Sequence, residues 1–514
     1  MTDFAQTGKK RAAYDYVIVG AGSSGCVLAT RLAENPDVTV LLLEAGGTDT
    51  HPDVQDPVRW PWLLRGELDW GYQSAPLKNC NGRIDRVPRA KMVGGCHSHN
   101  ASAWVRGHPT DFDGWAEQGC HGWEWTEALR LYQRIEDWNG PPSSLRGVGG
   151  PQYVALPDDP HPLAQAFLQS GQAVGAPQIV DHNAESMEGT ALFNLTIKDG
   201  LRHSVARSYL LPALERSNLD VQLHATVHRL LLSDGSCQGV QYWHDHELVE
   251  VHAEQEVILS AGVFGSPQIL LLSGIGPAED LRRLGVDVQV DLCGVGQNLQ
   301  DHPLLGGINY ECSMPLPAAR NNGAEATMWT RSESARDVPD LQVAILEFPF
   351  VTPELLPDLP TTNCYCIAPS VVQVASRGQV TLRSADPSAA PVIDVNFLDS
   401  QADRNAMLAA IDICREMGAS EAFADFRKRE VLPGLRSRSE MMDFVRQATT
   451  TYFHPCGTCK MGTDRWAVVD PELRVYGVTG LRVADASVMP QVTTGNTNAP
   501  CVLIGEKAAE MVLG

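Results

Sequence analysis

Basic side chains are scarce in this 514-residue sequence, in which 40 lysine and arginine residues stand against 62 aspartate and glutamate residues, for a formal net charge of -22. No run of lysine and arginine offsets this charge locally. Such a surface repels nucleic acid and anionic lipid. We therefore expect no nucleic-acid partner and no membrane partner, and neutral or cationic small molecules fit better as ligands.

A long uninterrupted hydrophobic segment is also missing. Residues 257–276 are the most apolar stretch, but four glycines, three serines, Pro267 and Gln268 interrupt it, which argues against a membrane span. The first residues, MTDFAQTGKKRAAYDYV, carry lysine and arginine without an apolar run after them, so they do not resemble a secretory signal. We expect the protein to reside in the cytoplasm.

The thirteen cysteines follow no disulfide framework, and in a reducing compartment we expect them to be thiols. Cys456 and Cys459 form a CxxC pair, but no second pair supplies the other ligands of a zinc site, so we predict no metal site. No internal repeat is visible. The length exceeds what one hydrophobic core usually serves, which indicates two domains.

The first fifty residues predict a βαβ unit. Residues 16–20 are a short apolar run that ends in glycine, and residues 23–35 carry apolar side chains at helical spacing. Residues 38–44 then form a second buried strand. The segment between the first strand and the helix is therefore a strand-to-helix turn.

That turn, residues 20–25, is called the glycine turn below. Gly20, Gly22 and Gly25 give it a GxGxxG pattern, and Glu44 follows at the end of the next strand. The glycines permit a tight turn, close approach to a pyrophosphate and close helix packing, and Glu44 can accept hydrogen bonds from ribose hydroxyls. The alternative, a glycine-rich turn that merely packs, is less favoured in this context. An acidic Glu44 favours FAD or NAD over NADP.

Four further segments resemble those of the glucose-methanol-choline oxidoreductases. They are residues 89–100, 261–276, 454–462 and 480–490, the last followed by residues 495–500. With the glycine turn they stand in the family's order and cover nearly the whole chain. The resemblance implies an α/β fold with a Rossmann-like FAD-binding domain and a second substrate domain built on an antiparallel sheet, similar to p-hydroxybenzoate hydroxylase. Residues 294–302 are another family-like stretch, interpreted as mainly structural and close to the cofactor.

The resemblance also predicts how the two domains divide the chain. The FAD-binding domain takes residues 1–155, 196–310 and 447–514, the last with the catalytic residues. The substrate domain takes residues 156–195 and 311–446. A homodimer is compatible with this organisation.

The resemblance assigns FAD contacts residue by residue. The ADP part is held by Gly20, Gly22, Gly25 and Glu44, with Val227 against the adenine. Gly94, Gly95 and Asn100 sit against the flavin, Asp485 approaches the ribityl and pyrophosphate region, and Thr497 and Asn498 face the pyrimidine edge.

Two residues are predicted to carry the chemistry. Alcohol oxidation requires that the hydroxyl proton leave while a hydride goes to flavin N5, and the isoalloxazine supplies the electron sink. His454 matches the family's base, and its imidazole accepts a proton near neutral pH. Asn496 matches the second member of the pair, an amide that donates to the alcohol oxygen. Counting six residues from Pro490 favours Asn496 over Asn498.

His99, directly before Asn100, resembles the residue that carries the flavin covalently in choline oxidases. The alternative is a histidine that packs noncovalently on the dimethylbenzene edge. His97 departs from the choline oxidase pattern.

The substrate is predicted to be a small primary alcohol that is oxidised to an aldehyde, with O2 or another electron acceptor. A choline-like alcohol would use an aromatic cage and a carboxylate. The candidates for this pocket are Phe453, Glu311 and either Trp60 or Trp62. For the aromatic residues the alternative is a place in the core, and for Glu311 it is a surface or domain-interface charge, which is favoured. An aryl or furanic alcohol is the alternative, and a flavoprotein that oxidises no alcohol, or an NAD-dependent dehydrogenase sharing only the first βαβ unit, is less favoured.

Overall fold

The computed structural model describes residues 11–333, 335, 337–359 and 361–514. The predicted βαβ unit is confirmed, with a strand at Ala13–Val19, a helix at Ser23–Leu32 and a strand at Val40–Leu43. The two strands are parallel, with Ile18 opposite Leu42, and both are almost fully buried. Buried parallel strands read as continuous apolar runs, which is why the sequence predicted them.

The first sheet has seven strands around this unit. In spatial order its strands are Leu219–Gln222, Val40–Leu43, Ala13–Val19, Glu247–Leu259, Ser236–His244 and Thr226–Ser233, with Leu481–Val483 beside Glu247–Leu259. The strand Glu247–Leu259 pairs with three other strands. Its first half pairs antiparallel with Ser236–His244, and its second half runs parallel to Ala13–Val19 and to Leu481–Val483. Segments from both ends of the chain therefore meet in one sheet.

The second sheet has eight strands, and all of its pairings are antiparallel. Its main path runs Arg427–Leu432, Asn309–Cys312, Cys364–Val371, Leu341–Leu346, Ala326–Thr330 and Gly189–Leu192, and Pro303–Leu305 and Thr449–Thr451 join it through Cys364–Val371. Each sheet anchors its own hydrophobic core. The predicted fold class, an FAD-type α/β unit combined with an antiparallel sheet, is confirmed.

Helices cover the sheets and connect them. The α-helices are Ser23–Leu32, Pro52–Gln55, Trp60–Leu63, Pro109–Glu117, Trp125–Ile135, Pro162–Ser170, Leu211–Ala213, Gly262–Leu272, Ala278–Arg283, Gln401–Ala419, Arg438–Ala448 and Asn498–Leu513. Two-stranded ladders add Glu136–Trp138 with Gln152–Val154, Ile197–Lys198 with Leu201–Arg202, Ile275–Gly276 with Val290–Asp291, and Gln379–Thr381 with Val392–Asp394. Across the described residues, no helix combines the length and apolar character needed to cross a bilayer.

The last helix, Asn498–Leu513, packs against the first, Ser23–Leu32. Gly505 allows the close approach, because a Cβ there would lie 2.8 Å from the Ser24 carbonyl oxygen. Arg31 and Glu506 form an ion pair across this contact at 2.8 Å. The packing brings the N-termini of both helices to one end of the first sheet, where a cavity opens toward the second sheet.

Candidate active site

The glycine turn is built by contacts that only glycine permits. Gly20 has φ +101°, and a Cβ there would lie 2.5 Å from the Ser260 carbonyl oxygen. A Cβ on Gly25 would lie 1.9 Å from the Gly20 carbonyl oxygen. Gly22 differs, because the nearest atom to its Cβ position is 4.0 Å away, and it lines the cavity. Gly20 and Gly25 thus shape the turn, and Gly22 leaves room for a ligand.

Glu44 lies at the end of the second strand and lines the same cavity as Val227. Its carboxylate oxygens accept hydrogen bonds from the backbone N–H groups of Ala21 (2.9 Å) and Gly46 (2.8 Å). Burial raises the pKa of Glu44 to about 7, and these N–H groups partly offset the shift. A ligand with hydroxyl donors would stabilise the charged form further, as a ribose does.

Residues 89–100, the flavin loop, fold onto the glycine turn. The Gly94 N–H donates to the Ala21 carbonyl at 2.7 Å, and a Cβ on Gly95 would lie 2.7 Å from Gly22 Cα. Both glycines have positive φ. Asn100 lines the cavity at the end of this loop, and its side-chain Oδ1 accepts from the Ser102 N–H. Of the predicted cofactor glycines, Gly20, Gly22 and Gly95 line the cavity, whereas Gly25 and Gly94 support the turn and the loop through backbone contacts.

Three helices begin at the cavity, namely Ser23–Leu32, Gly262–Leu272 and Asn498–Leu513. None of them has a side-chain cap or an acidic residue in its first turn. Free N–H groups at a helix N-terminus favour anions. At Gly262–Leu272 the Asp485 carboxylate already accepts from the Gly262 N–H. The N-termini of Ser23–Leu32 and Asn498–Leu513 therefore offer the binding sites for the anionic and acceptor groups of a dinucleotide.

Asp485 and Asn498 complete this end of the cavity. Asp485 accepts hydrogen bonds from the Gly262 N–H (2.9 Å) and the Ser266 hydroxyl (2.5 Å). The Asn498 side chain accepts from the Ser23 hydroxyl at 2.9 Å, while its buried amide nitrogen has no protein partner. Thr497 lines the cavity beside them. An unpaired buried donor at this position suits a flavin carbonyl.

His454 and Asn496, which the sequence predicts as a pair, lie side by side in the same cavity. The Asn496 amide nitrogen lies 3.1 Å from His454 Nε2. His454 is buried and both residues line the cavity. A base and an amide donor are therefore adjacent on one wall.

The local backbone holds His454 tightly. Its N–H donates to an Asp301 carboxylate oxygen at 2.9 Å, and the other oxygen of Asp301 accepts from the Thr451 hydroxyl at 2.5 Å. Phe453, directly before it, has φ +66°, a conformation that side chains other than glycine rarely adopt. The Arg89 guanidinium donates to the Phe453 carbonyl at 2.7 Å. These contacts fix the imidazole on the cavity wall.

A second buried histidine, His302, contacts His454. His302 Nδ1 lies 3.0 Å from His454 Nδ1, and the rings meet edge to face at 5.2 Å. Burial lowers the pKa of His302 to about 3 and that of His454 well below its usual range, with His302 and Arg89 adding to the shift on His454. Both rings are therefore neutral at physiological pH, and one of them donates to the other.

His99 lies in the flavin loop, is buried, and lines the cavity. Its Nε2 lies 2.8 Å from the Leu63 carbonyl oxygen and 3.5 Å from a carboxylate oxygen of Asp69. Because both neighbours are acceptors, Nε2 carries the proton and Nδ1 carries the lone pair. Burial lowers the pKa of His99 to about 3, so the ring is neutral.

The walls near His454 are aromatic and small aliphatic. They include Trp60, Phe193, Leu304, Ala324, Ala344, Leu346, Phe350, Ala368, Tyr452 and Phe453, with Asn322 as a polar member. The charged residues that line the whole cavity are Glu44, Arg89 and Asp485. Glu44 and Asp485 accept hydrogen bonds from the backbone at Ala21, Gly46 and Gly262, and among the described residues no other carboxylate lines the cavity.

Two predicted pocket residues lie elsewhere. Glu311 is not in the cavity, because its carboxylate pairs with Lys428 (2.6 Å) and Arg429 (2.7 Å) on the neighbouring strand. Trp62 is 55% exposed and stacks with the Arg59 guanidinium at 4.3 Å instead of facing the cavity. Neither residue is therefore placed in the cavity, and for Glu311 the geometry agrees with the alternative of a charge outside the pocket. Trp60 and Phe453 line the cavity, and their place in a substrate pocket stays a prediction.

The sequence also left functional neighbours unnoticed. Asp301 and His302 fall in residues 294–302, which were interpreted as mainly structural, although both contact His454 directly. An acidic residue next to a histidine in a family-like stretch is the feature of the sequence that could have indicated their place beside the catalytic histidine. Gln342, which contacts Asn496 at 3.2 Å, lies in an apolar strand that offered no signal.

Comparison with known proteins agrees with this geometry. Sequence models of the N-terminal and C-terminal parts of GMC oxidoreductases match residues 14–304 and 374–505. The chain belongs to the GMC oxidoreductase family. It is therefore an FAD-dependent oxidoreductase that acts on alcohol donors, and the C-terminal match excludes an NAD-dependent dehydrogenase that shares only the first βαβ unit.

Individual relatives of this GMC oxidoreductase match over nearly their full length. An oxygen-dependent choline dehydrogenase of Sinorhizobium fredii is 37% identical over 97% of this chain and 95% of the relative. The crystal structure of pyridoxine 4-oxidase from Mesorbium loti has a TM-score of 0.93 at 36% identity, covering 97% of this chain and 98% of that one. A formate oxidase of Aspergillus oryzae has a TM-score of 0.90 at 28% identity, covering 98% and 99%.

Proposed function

We propose that this enzyme oxidises a primary alcohol to an aldehyde, with His454 as the base and Asn496 as the hydrogen-bond donor to the alcohol oxygen. The observation that carries the proposal is the 3.1 Å contact between Asn496 and His454 Nε2 at the cavity wall. Bound FAD supplies the hydride acceptor. The residues proposed to hold it are Gly20, Gly22, Gly25, Glu44, Gly94, Gly95, His99, Asn100, Val227, Asp485, Thr497 and Asn498.

The hydrogen bonds of the pair support this division of roles. An Asn496 N–H that donates to Nε2 requires a lone pair there, so His454 carries its proton on Nδ1 and donates it to His302 Nδ1. An alcohol placed between the two residues donates its hydroxyl proton to Nε2 and accepts from the Asn496 amide. The acceptor Nε2 and the donor Asn496 N–H are therefore already in position for a hydroxyl before the substrate binds.

The cavity favours a neutral aryl or heteroaryl alcohol. Phe193, Phe350 and Tyr452 offer flat apolar surfaces, and alanines leave room between them. The relative pyridoxine 4-oxidase has a planar aromatic alcohol in its name, which supports the same class here. O2 or another acceptor takes the electrons onward.

A choline-like alcohol is the second candidate, because the relative from Sinorhizobium fredii is a choline dehydrogenase. Aromatic walls attract a quaternary ammonium group. The wall near His454 nevertheless lacks the carboxylate that would offset the desolvation of this cation, since Glu311 lies outside the cavity. We therefore place the aryl alcohol first.

Steady-state kinetics with benzyl alcohol, choline and the uncharged tert-butyl analogue of choline test this order. We expect kcat/KM for benzyl alcohol to exceed that for choline at least about 10²-fold, because burying an unpaired cation costs several kcal/mol. The tert-butyl analogue should be at least as good as choline. Choline preferred over this analogue of the same shape would establish a cation site and reverse the order.

The pH dependence follows from the lowered pKa of His454. A base acts when it is unprotonated, and a folded-state pKa well below 6.5 keeps His454 unprotonated as the pH falls through 6.5. Burial raises the pKa of Asp301, which accepts from the His454 backbone N–H, to about 6, so half of that contact is lost by about pH 6. We expect the rate of anaerobic flavin reduction to fall with a midpoint below pH 6.5. A midpoint at or above 6.5 would contradict this assignment.

We also propose that FAD is bonded covalently to His99. Support comes from the lone pair on Nδ1, which the Leu63 carbonyl leaves free by holding the proton on Nε2. The neutral ring keeps this lone pair nucleophilic. The bond would join Nδ1 to the flavin 8α-methyl carbon. The methyl group would lose one hydrogen and the imidazole its N–H proton, and the two electrons released would reduce the flavin ring, which O2 or another acceptor would then reoxidise.

Acid precipitation tests the bond to His99. A covalent bond survives unfolding, so the wild-type pellet should stay yellow, and His99→Asn should release all of its FAD into the supernatant. His97→Gln is the matched control, because His97 is buried next to Thr196 and does not line the cavity. Its pellet should stay yellow. A colourless wild-type pellet would show that His99 packs on the flavin without a bond.

The domain division into residues 1–155, 156–195, 196–310, 311–446 and 447–514 remains a proposal. Strand Gly189–Leu192 and most strands of the second sheet fall in the two substrate segments, which supports it. Pro303–Leu305 and Thr449–Thr451 pair with that sheet and suggest boundaries a few residues further out. Cytoplasmic residence and a homodimer stay predictions from the sequence.

A further inference from the structure

Gln342 contacts Asn496, one member of the proposed catalytic pair. It lies in strand Leu341–Leu346 of the second sheet, is fully buried, and does not line the cavity. Its amide nitrogen donates to the Asn496 carbonyl oxygen at 3.2 Å and approaches the Thr327 hydroxyl at 3.5 Å. Gln342 therefore reaches the substrate only through Asn496.

The orientation of the Asn496 amide decides whether its N–H groups or its carbonyl oxygen face the substrate hydroxyl. The two ends of an amide have nearly the same shape, so packing does not select between them. The neighbour His454 does not select either, because an imidazole accommodates a donor or an acceptor by changing its tautomer. In the flipped orientation Asn496 would accept from a protonated Nε2, and His454 could no longer take the hydroxyl proton there.

We propose that Gln342 is a positioning residue that holds Asn496 with its N–H groups toward the alcohol oxygen and toward His454 Nε2. By donating to the carbonyl oxygen, Gln342 satisfies the end of the amide that faces away from the reaction. It thereby also favours the His454 tautomer whose Nε2 is free to act as a base. The inference rests on the proposed roles of His454 and Asn496.

Two substitutions separate this role from simple packing. Gln342→Met keeps the length and loses both donors, and the rate of anaerobic flavin reduction should fall about 3- to 10-fold, the value of one hydrogen bond, with little change in KM. Gln342→Glu adds a titratable group. The protonated carboxyl can donate to Asn496, whereas the ionised carboxylate accepts from it and turns the amide. Flavin reduction in Gln342→Glu should therefore fall at least about 10-fold as the pH rises, while the wild type is unchanged there.

A double-mutant cycle completes the test. In an Asn496→Ala background, Gln342→Met should slow flavin reduction no further, because the group it orients is gone. Thr327→Val, which removes the other contact of Gln342, should leave the rate close to wild type. FAD content checks that each variant is folded, and Gln342→Glu carries the test if Gln342→Met is not.

The outcomes are distinguishable. If Gln342→Met slows reduction equally with and without Asn496, or if Gln342→Glu shows no new pH dependence, Gln342 does not orient the amide and the inference fails. If Asn496→Ala alone leaves the rate unchanged, the proposed role of Asn496 fails first.

Discussion

Replacing His454 by alanine is expected to leave FAD bound and to slow anaerobic reduction of the flavin by alcohol at least about 10²-fold, the usual scale for a lost acid-base group. The hydrogen-bond partners of His454 are Asp301, His302 and Asn496, none of which is proposed to hold FAD, so its loss should not release the nucleotide. Without Nε2, the hydroxyl proton has no acceptor on the wall. Stopped-flow measurement of flavin absorbance under anaerobic conditions gives the rate directly.

Tyr452→Phe is the control for His454→Ala. The Tyr452 ring lies 4.4 Å from the His454 ring and lines the cavity, so the substitution keeps the aromatic wall and changes only a hydroxyl. Flavin reduction should stay near the wild-type rate. If His454→Ala reduces the flavin as fast as this control, His454 is not the base.

Replacing Gly25 by alanine is expected to abolish FAD binding and to lower the melting temperature. The new Cβ would lie 1.9 Å from the Gly20 carbonyl oxygen, and neither backbone segment can yield without opening the glycine turn. Overpacking of this kind costs about 1–3 kcal/mol or more. The purified protein should lack flavin absorbance, and thermal unfolding should begin at a lower temperature.

Gly22→Ala separates the two tasks of the glycine turn. Gly22 has φ -80°, and the nearest atom to its Cβ position is 4.0 Å away, so alanine fits the chain itself. The added methyl would point into the cavity where a pyrophosphate approaches the backbone. FAD binding should weaken while the apoprotein melts near the wild-type temperature. Equal loss of stability in both variants would show that Gly22 is a packing glycine as well.

The features predicted correctly from the sequence are those that short segments determine. The strand, glycine turn and helix at residues 13–32 follow from apolar runs and from glycines whose backbone contacts exclude a Cβ. His454 and Asn496 are 42 residues apart, yet the resemblance to the family's motifs brought them together, and the structure places them 3.1 Å apart.

Contacts between strands that are distant in the chain could not be predicted from the sequence. Glu311 was predicted in the substrate pocket, but the strand register places Lys428 and Arg429 beside it, and an ion pair keeps it outside. The spacing of residues 301–311 contains no information about that neighbouring strand. Gln342 contacts Asn496 through the order of strands in the second sheet, which no local pattern encodes.

The most direct test of the central claim is anaerobic mixing of the purified holoenzyme with a primary aryl alcohol. The account predicts that flavin absorbance bleaches in step with the formation of one aldehyde per FAD, and that His454→Ala forms the same product at a rate at least about 10²-fold lower. A flavin that stays oxidised with every primary alcohol tried, or that is reduced at the same rate by wild type and His454→Ala, would contradict it.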